Sequence, residues 1–289
     1  MEAMIEALAG ATPVDQYVDV KGVTTRYWTG GATGSPILLI HGIGAYVEFW
    51  LPSFEALARE HPVYALDLIG HGKTAKPSDA SYDLAALAQF VHDFMGTMGI
   101  EHAHLVGHSL GGAVATRLAI MHPETADRLV LVASAGLGKE CHPMFRLMGV
   151  RLVGELLTRP SRSGVAKFLR LGMWDESRIG EEFIDVGYHM SCLPGAQKAF
   201  LRTLRDNGRP LRGISRSFYQ PNIKGLSSFS NPVLVVWGRE DKIIPVAHTE
   251  VAAQAMAHAT IKLFDHCGHV PMFEYPEEFN ALLLDFLKD

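Results

Sequence analysis

The sequence is poor in cysteine and contains no run of basic residues. Its 289 residues include three cysteines, Cys141, Cys192 and Cys267, an odd number that lie far apart. This spacing fits neither a disulfide framework nor a set of metal ligands, so we expect a reducing, cytoplasmic environment and no bound metal. The formal net charge is −5. A slightly acidic chain without a basic run argues against nucleic acid as a partner.

Long apolar runs are missing as well. No segment reaches the roughly 18 uninterrupted apolar residues that a membrane-spanning helix needs. The first ten residues, MEAMIEALAG, lack the positive charge of a signal peptide, and Glu6 interrupts their apolar stretch. We therefore expect no stable membrane insertion. The first dozen residues are predicted to form a frayed terminus, with a short amphipathic helix as the alternative.

Apolar runs alternate with segments of helical spacing along much of the chain. The run PILLI at 36–40 is continuously apolar, as expected for a strand buried on both faces of a parallel sheet. This alternation predicts an α/β fold with helices on both faces of the sheet. Further strands are predicted at 16–28 (two short strands), 63–66, 103–106, 128–132, 233–237 and 260–264, and helices at 54–59, 84–98, 110–121, 247–257 and 277–287.

The alternation stops between about Gly138 and Phe229. This segment has helical-looking pieces and many Met, Phe and Leu residues, but no run that is typical of a buried strand. We interpret it as a helical insertion into the α/β unit. Its large side chains indicate an apolar cleft for an acyl chain or an aromatic group, with packing of the insertion onto the core as the alternative.

One serine stands between glycines directly after a predicted strand. The run Gly107-His108-Ser109-Leu110-Gly111 has the G-x-S-x-G pattern of a nucleophile elbow, in which a strained turn exposes the hydroxyl. The helix that follows places Ser109 at a helix N-terminus, where developing negative charge is favoured. An ordinary tight turn is the alternative, because a free serine is a poor nucleophile without a base.

A histidine and an aspartate follow the serine in the order that a hydrolase triad requires. His269 lies in the last strand-to-helix connection and is the candidate general base, which takes the serine proton and returns it to the leaving group. Asp241 is the candidate acid that orients His269. His266 is a rival base and Glu240 a rival acid. The order Ser109, Asp241, His269 matches that of a known triad arrangement.

The run HGIG at 41–44 follows the apolar strand 36–40. A tetrahedral oxyanion needs donors that already point at it, and backbone N–H groups supply them. The candidate donors are the N–H groups of Leu110 and Ile43, with Gly44 as a substitute for Ile43. The alternative is an ordinary turn after a strand.

Three other histidines lie close to these motifs in the sequence. His41 and His108 are expected to support the site through hydrogen bonds rather than to react. The run DLIGHG at 67–72 follows another strand and is expected to form a rigid bracing loop. A metal site formed by His41, His71 and His108 is disfavoured, because the helical spacing and companion ligands of such sites are missing.

Together these residues strongly resemble the α/β-hydrolase superfamily over nearly the whole chain. The resemblance implies an eight-stranded, mostly parallel sheet built from residues 1–137 and 230–289. It also implies a helical cap, residues 138–229, inserted after the sixth strand. The matching motifs are HGIG at 41–44, DLIGHG at 67–72, GHSLGG at 107–112, WGRED at 237–241, GHVP at 268–271 and EYPE at 274–277.

Single residues then indicate which branch of this superfamily the chain resembles most. Epoxide hydrolases and haloalkane dehalogenases use aspartate at the elbow, so Ser109 disfavours them. Hydrolases of ring-cleavage products typically have a tryptophan after the catalytic histidine, where this chain has Val270. The resemblance therefore favours the serine esterase and lipase-like branch over the ring-cleavage branch.

These inferences predict a serine hydrolase that cleaves small to medium apolar carboxylic esters through an acyl-enzyme. Ser109, Asp241 and His269 are its predicted catalytic residues, no cofactor is expected, and its partner is a small-molecule ester. The alternative is a carbon–carbon bond hydrolase of ring-cleavage products. A ligand-sensing protein on a hydrolase scaffold is a third interpretation, and a homodimer is compatible with the sequence.

Overall fold

The structure is a computed structural model that describes residues 13–288. The expectations for the first dozen residues lie outside this range. Eight strands form one sheet in the order β1-β2-β4-β3-β5-β6-β9-β10, and β2 alone runs against the others. The strands are β1 Gln16–Val20, β2 Val23–Gly30, β3 Ile37–Ile40, β4 Val63–Leu66, β5 Ala103–His108, β6 Ala126–Val132, β9 Val233–Gly238 and β10 Thr260–Phe264.

Helices cover both faces of this sheet. Alternate residues of β3 show this directly: Leu38 and Ile40 join one buried apolar cluster, whereas Ile37 and Leu39 join the other. The predicted mostly parallel α/β fold is therefore confirmed. The helices of this part are α1 Leu51–Ala58, α2 Leu84–Met98, α3 Leu110–Met121, α10 His248–Ala255, α11 Pro271–Glu274 and α12 Pro276–Leu287.

The chain between β6 and β9 forms mainly helices. A hairpin of two short strands, β7 Gly208–Arg209 and β8 Gly213–Ile214, interrupts them. The division into a core and a cap at 138–229 stays a prediction. The helices of this segment are α4 Pro143–Met148, α5 Val153–Leu157, α6 Arg162–Leu171, α7 Glu181–Cys192, α8 Ala196–Asn207 and α9 Arg216–Leu226.

Two findings bear on the compositional expectations. Across residues 13–288, no helix combines the length and the apolar character needed to cross a bilayer. Cys141, Cys192 and Cys267 are free thiols.

Candidate active site

Ser109 occupies a strained turn between β5 and α3. Its backbone angles are φ 54° and ψ −118°, a conformation that non-glycine residues rarely adopt. The surrounding backbone holds this turn. The Ser109 N–H donates to the carbonyl of Val132 at 2.9 Å, and the Ser109 carbonyl accepts from the N–H of Ala135 at 2.9 Å. The turn has the strand–serine–helix form of a nucleophile elbow.

The glycines of the elbow are required by close backbone contacts. A Cβ atom at Gly107 would overlap the backbone of Gly111, and a Cβ atom at Gly111 would overlap the carbonyl of Ile40. Only glycine lets β3, β5 and the start of α3 approach so closely. The sequence pattern therefore follows from packing as well as from chemistry.

Asp241 and His269 form a buried hydrogen-bonded pair. The Nδ1 atom of His269 lies 2.7 Å from Oδ2 of Asp241, and the Asp241 side chain is fully buried. The other carboxylate oxygen accepts the N–H groups of Ile243 at 2.7 Å and Ile244 at 3.0 Å. A carboxylate can only accept here, so the neutral imidazole carries its proton on Nδ1 and keeps a lone pair on Nε2.

Ser109 and His269 lie on the wall of one cavity. We call it the His269 cavity; it holds about 450 Å³ of empty space and is also lined by Phe49, Leu169 and Val270. The structure thus brings together the serine, the histidine and, through the histidine, the aspartate. This arrangement can transfer a proton from a hydroxyl to an imidazole whose charge a buried carboxylate balances.

The rival acid and base lie elsewhere. His266 is exposed and stands beside the ring of Trp174, with 5.8 Å between ring centroids. Glu240 accepts the N–H of Cys267 at 3.0 Å, so it supports the loop that carries the histidine. His269 is the histidine that Asp241 contacts.

Two backbone N–H groups lie beside the serine as candidate oxyanion donors. Leu110 is the first residue of α3, so its N–H has no partner within the helix. Neither this group nor the Ile43 N–H has a hydrogen-bond acceptor among residues 13–288. Ile43 and Leu110 line a cavity together with Ser109, whereas Gly44 lines a different one, which favours Ile43 over Gly44.

His108 and His41 make the supporting hydrogen bonds that were expected of them. The His108 Nε2 atom lies 2.9 Å from the carbonyl of His269, and the His41 Nε2 atom accepts the N–H of Leu68 at 3.0 Å. Burial holds the pKa of His108 well below its usual range and lowers the pKa of His41 to about 4. Both rings are therefore neutral and fix the backbone around the site.

The loop at 67–72 is held by its first residue. Fully buried Asp67 accepts the N–H groups of Val47 and Lys73, each at 2.8 Å, and the guanidinium of Arg26 at 3.4 Å. Arg26 also makes a bidentate ion pair with Glu48, at 2.7 and 3.0 Å. This network joins β2 to the loops beside the elbow, in agreement with the expected bracing role.

Glu274 has a role that the sequence did not indicate. Its side chain is buried and accepts three backbone N–H groups: Gly268 at 2.6 Å, Trp174 at 2.8 Å and Asp175 at 3.0 Å. The His269 N–H also donates to the carbonyl of Gly172 at 2.6 Å. The histidine loop is thus attached to the segment after α6. The only available signal was the position of Glu274 in the EYPE motif.

A second cavity also reaches Ser109. We call it the Arg146 cavity; it holds about 680 Å³ of empty space. Ser109, Ile43 and Phe145 line both this cavity and the His269 cavity, so the two meet at the serine. The Arg146 cavity is lined mostly by apolar side chains, among them Leu110, Leu204, Ile214, Phe218, Ile243 and Ile244.

Metal-ligating side chains come together outside the site. Among residues 13–288, His92, His122 and Glu124 have ligand atoms within 4.8 Å of one another. His122 follows the C-terminal end of the 12-residue helix α3, and Ser109 precedes its N-terminus. At a rise of 1.5 Å per residue, the cluster lies about 18 Å from the elbow. His41, His71 and His108 do not form such a group in this part of the chain.

The comparison with known proteins agrees with this geometry. A model of the alpha/beta hydrolase family matches residues 37–282. This chain belongs to that family. It is 35% identical over 93% of its length, and 67% of the other chain, to the dihydrolipoyllysine-residue acetyltransferase component of the acetoin cleaving system of Cupriavidus necator.

Two further members of the family differ in the substrates that their names give. A 2-hydroxy-6-oxo-6-(2'-aminophenyl)hexa-2,4-dienoic acid hydrolase of Metapseudomonas resinovorans is 32% identical, over 95% of this chain and 91% of that one. The solved structure of a membrane phospholipase A, described as a bacterial virulence factor, superposes with a TM-score of 0.82 at 27% identity, over 99% of this chain and 88% of that one. The chain is a hydrolase by family, and its substrate is a separate question.

Proposed function

We propose that this chain hydrolyses a carbon–carbon bond beside a ketone in a vinylogous diketone of the ring-cleavage type. The observation that carries the proposal is the 2.7 Å hydrogen bond between Asp241 and His269 in a site that also holds Ser109. Similarity along almost the whole chain to a hydrolase of a 2-hydroxy-6-oxohexadienoic acid supports this substrate class over the ester favoured by the sequence.

The first half of the reaction forms an acyl-enzyme. The Oγ atom of Ser109 attacks the ketone carbon while Nε2 of His269 takes the hydroxyl proton. The N–H groups of Ile43 and Leu110 stabilise the oxyanion without reorganisation. The substrate reacts as its keto tautomer, in which the carbon beside the attacked ketone is tetrahedral. The carbon–carbon bond then breaks, and its electron pair passes into the adjoining enone to give a dienolate. His269 returns the proton to that leaving fragment.

Water completes the reaction. It attacks the acyl carbonyl while His269 takes one of its protons, and the bond between the acyl carbon and Ser109 Oγ breaks as the proton returns to Oγ. One water molecule is consumed. The products are a carboxylic acid and the protonated dienoate fragment, so the step balances without an oxidant or a reductant.

Ester hydrolysis is the second candidate, because it uses the same acyl-enzyme with an alkoxide as the leaving group. Val270 favours it, since the ring-cleavage hydrolases that this chain resembles typically have tryptophan at that position. The likeness to a phospholipase A supports an ester substrate as well. The two candidates differ only in the fragment that leaves.

The test compares both substrate classes on one protein. The kcat/KM for 2-hydroxy-6-oxo-6-phenylhexa-2,4-dienoate, followed by loss of its absorbance, is measured beside a p-nitrophenyl ester series. Ser109→Ala is the inactive variant, and Ser228→Ala, which changes an exposed serine, is the matched control. We expect dienoate turnover that Ser109→Ala abolishes and Ser228→Ala retains.

Turnover of esters alone would contradict the carbon–carbon proposal and support the second candidate. Equal rates in wild type and Ser109→Ala would contradict any mechanism through this serine. Retained binding without turnover of either class would support a ligand-sensing protein on a hydrolase scaffold.

A further inference from the structure

The Arg146 cavity combines apolar walls with positive charge. Its lining includes two arginines, Arg146 and Arg209, and no aspartate or glutamate. Arg209 is exposed, whereas Arg146 is partly buried. A cavity with cationic groups and no acidic side chain is electrostatically suited to an anionic ligand.

Arg146 is partly buried and has no carboxylate partner among residues 13–288. Its Nε atom is buried without a hydrogen-bond acceptor, and its guanidinium makes no ion pair within residues 13–288. The Arg146 side chain lies within hydrogen-bonding reach of the Cys141 thiol, whose pKa is raised by burial and lowered in part by Arg146. By contrast, Arg205 nearby pairs with Glu155 at 2.8 Å.

A guanidinium without a carboxylate partner is costly beside apolar side chains. A buried donor without an acceptor loses the hydrogen bonds that it had with water, and a carboxylate restores them with bidentate geometry. Arg146 therefore brings a guanidinium without a carboxylate partner to the wall of a cavity that reaches Ser109, where a planar anion can pair with it.

The position of His269 indicates which half of the substrate enters the Arg146 cavity. His269 lines the His269 cavity and does not line the Arg146 cavity. The leaving fragment must reach His269 to receive its proton, so it occupies the His269 cavity. The acyl half, which stays attached to Ser109, therefore extends into the Arg146 cavity.

We propose that the Arg146 cavity binds an acyl group that ends in a carboxylate, with Arg146 as the specificity-determining counter-ion. The preferred substrate then releases a dicarboxylic acid, whereas a substrate with a benzoyl half reacts without this ion pair. This inference rests on the proposed acyl transfer at Ser109, and it holds whether the broken bond is carbon–carbon or an ester.

Boronic acids test the proposal without requiring turnover. A serine hydroxyl adds to trigonal boron and forms a tetrahedral adduct that resembles the acyl-transfer intermediate. The two probes are 4-boronobutanoic acid and (4-methylpentyl)boronic acid, in which an isopropyl group replaces the carboxylate. Their Kd values are measured by calorimetry on the full chain.

We expect wild type to bind the carboxylate probe about 10- to 100-fold more tightly than the neutral one, as a charged hydrogen-bonded pair provides. Arg146→Met should bring that ratio close to one without weakening the neutral probe. Arg146→Lys should keep an intermediate ratio. Arg212→Met removes the same charge from an exposed residue that does not line the cavity, and should leave the ratio unchanged.

A wild-type ratio near one, including failure to bind either probe, would overturn the proposal. So would a carboxylate preference that persists in Arg146→Met. Unchanged affinity for the neutral probe shows that the variant cavity is folded. Because adduct formation does not depend on the bond cleaved, a failure of the carbon–carbon proposal remains distinguishable from a failure of this one.

Discussion

Asp241→Asn removes one charge and changes which nitrogen of His269 carries the proton. The oxygen of the new amide is held by the N–H groups of Ile243 and Ile244, which now contact Oδ1 of Asp241. Its NH₂ group therefore faces His269 Nδ1, which lies 2.7 Å from Oδ2 in the native protein. A donor at that position forces Nδ1 to accept, so the proton moves to Nε2.

This tautomer cannot take the proton of Ser109. The same substitution in the best-known serine protease lowers kcat about 10⁴-fold through the wrong tautomer. Since all three hydrogen bonds of Asp241 have an equivalent in the variant, we expect a similar loss here. It corresponds to about 5 kcal/mol of transition-state stabilisation.

The assay measures kcat on the better of the two substrate classes, together with the thermal midpoint. We expect the midpoint to change little. Glu240→Gln is the matched control, because glutamine still accepts the Cys267 N–H that Glu240 accepts at 3.0 Å. A kcat loss under about tenfold in Asp241→Asn would refute the tautomer argument. A larger loss in Glu240→Gln would reassign the acid.

Two further predictions concern stability. Burial lowers the pKa of His41 to about 4 and of His71 to about 3, while the unfolded chain binds a proton at each near pH 6.5. The free energy of unfolding should therefore fall by about 1.4 kcal/mol per pH unit for each histidine as pH drops from about 6.5 to 4. Urea titrations at several pH values measure that slope. His71→Asn should reduce the slope by the contribution of one histidine, and an unchanged slope would contradict the lowered pKa of His71. Glu274→Ala leaves three backbone N–H groups without their acceptor, so we expect a loss of about 2–4 kcal/mol and a lower kcat. The control is Glu277→Ala, which changes an exposed glutamate. An equal loss of unfolding free energy in both variants would show that the three hydrogen bonds of Glu274 do not stabilise the fold.

The α/β part of the fold was predictable because its central strands are buried on both faces. Continuous apolar runs in the sequence indicated β3, β4 and β9. The helical spacing of apolar residues stops before Gly99, and α2 ends there in the structure. The candidate triad was predictable for a related reason. In a parallel sheet the carboxyl ends of the strands share one edge, so residues after β5, β9 and β10 meet there.

Other features depend on contacts that no local pattern contains. Glu274 joins Gly268 to the segment at 174–175, which lies about a hundred residues earlier in the chain. Hairpin β7–β8 has only two residues in each strand, too few to show alternation. The sequence around Arg146 gives no sign that this arginine lines a cavity that reaches Ser109.

The backbone of Ser109 has a consequence for how the protein tolerates change. A residue at φ 54° and ψ −118° is under steric strain of order 1–3 kcal/mol that glycine would avoid. Glycine in place of Ser109 would therefore raise the free energy of unfolding, although it would remove the nucleophile. Selection for stability alone would replace Ser109 by glycine. The difference in the free energy of unfolding between the native protein and Ser109→Gly therefore measures how much stability the protein loses by keeping its nucleophile.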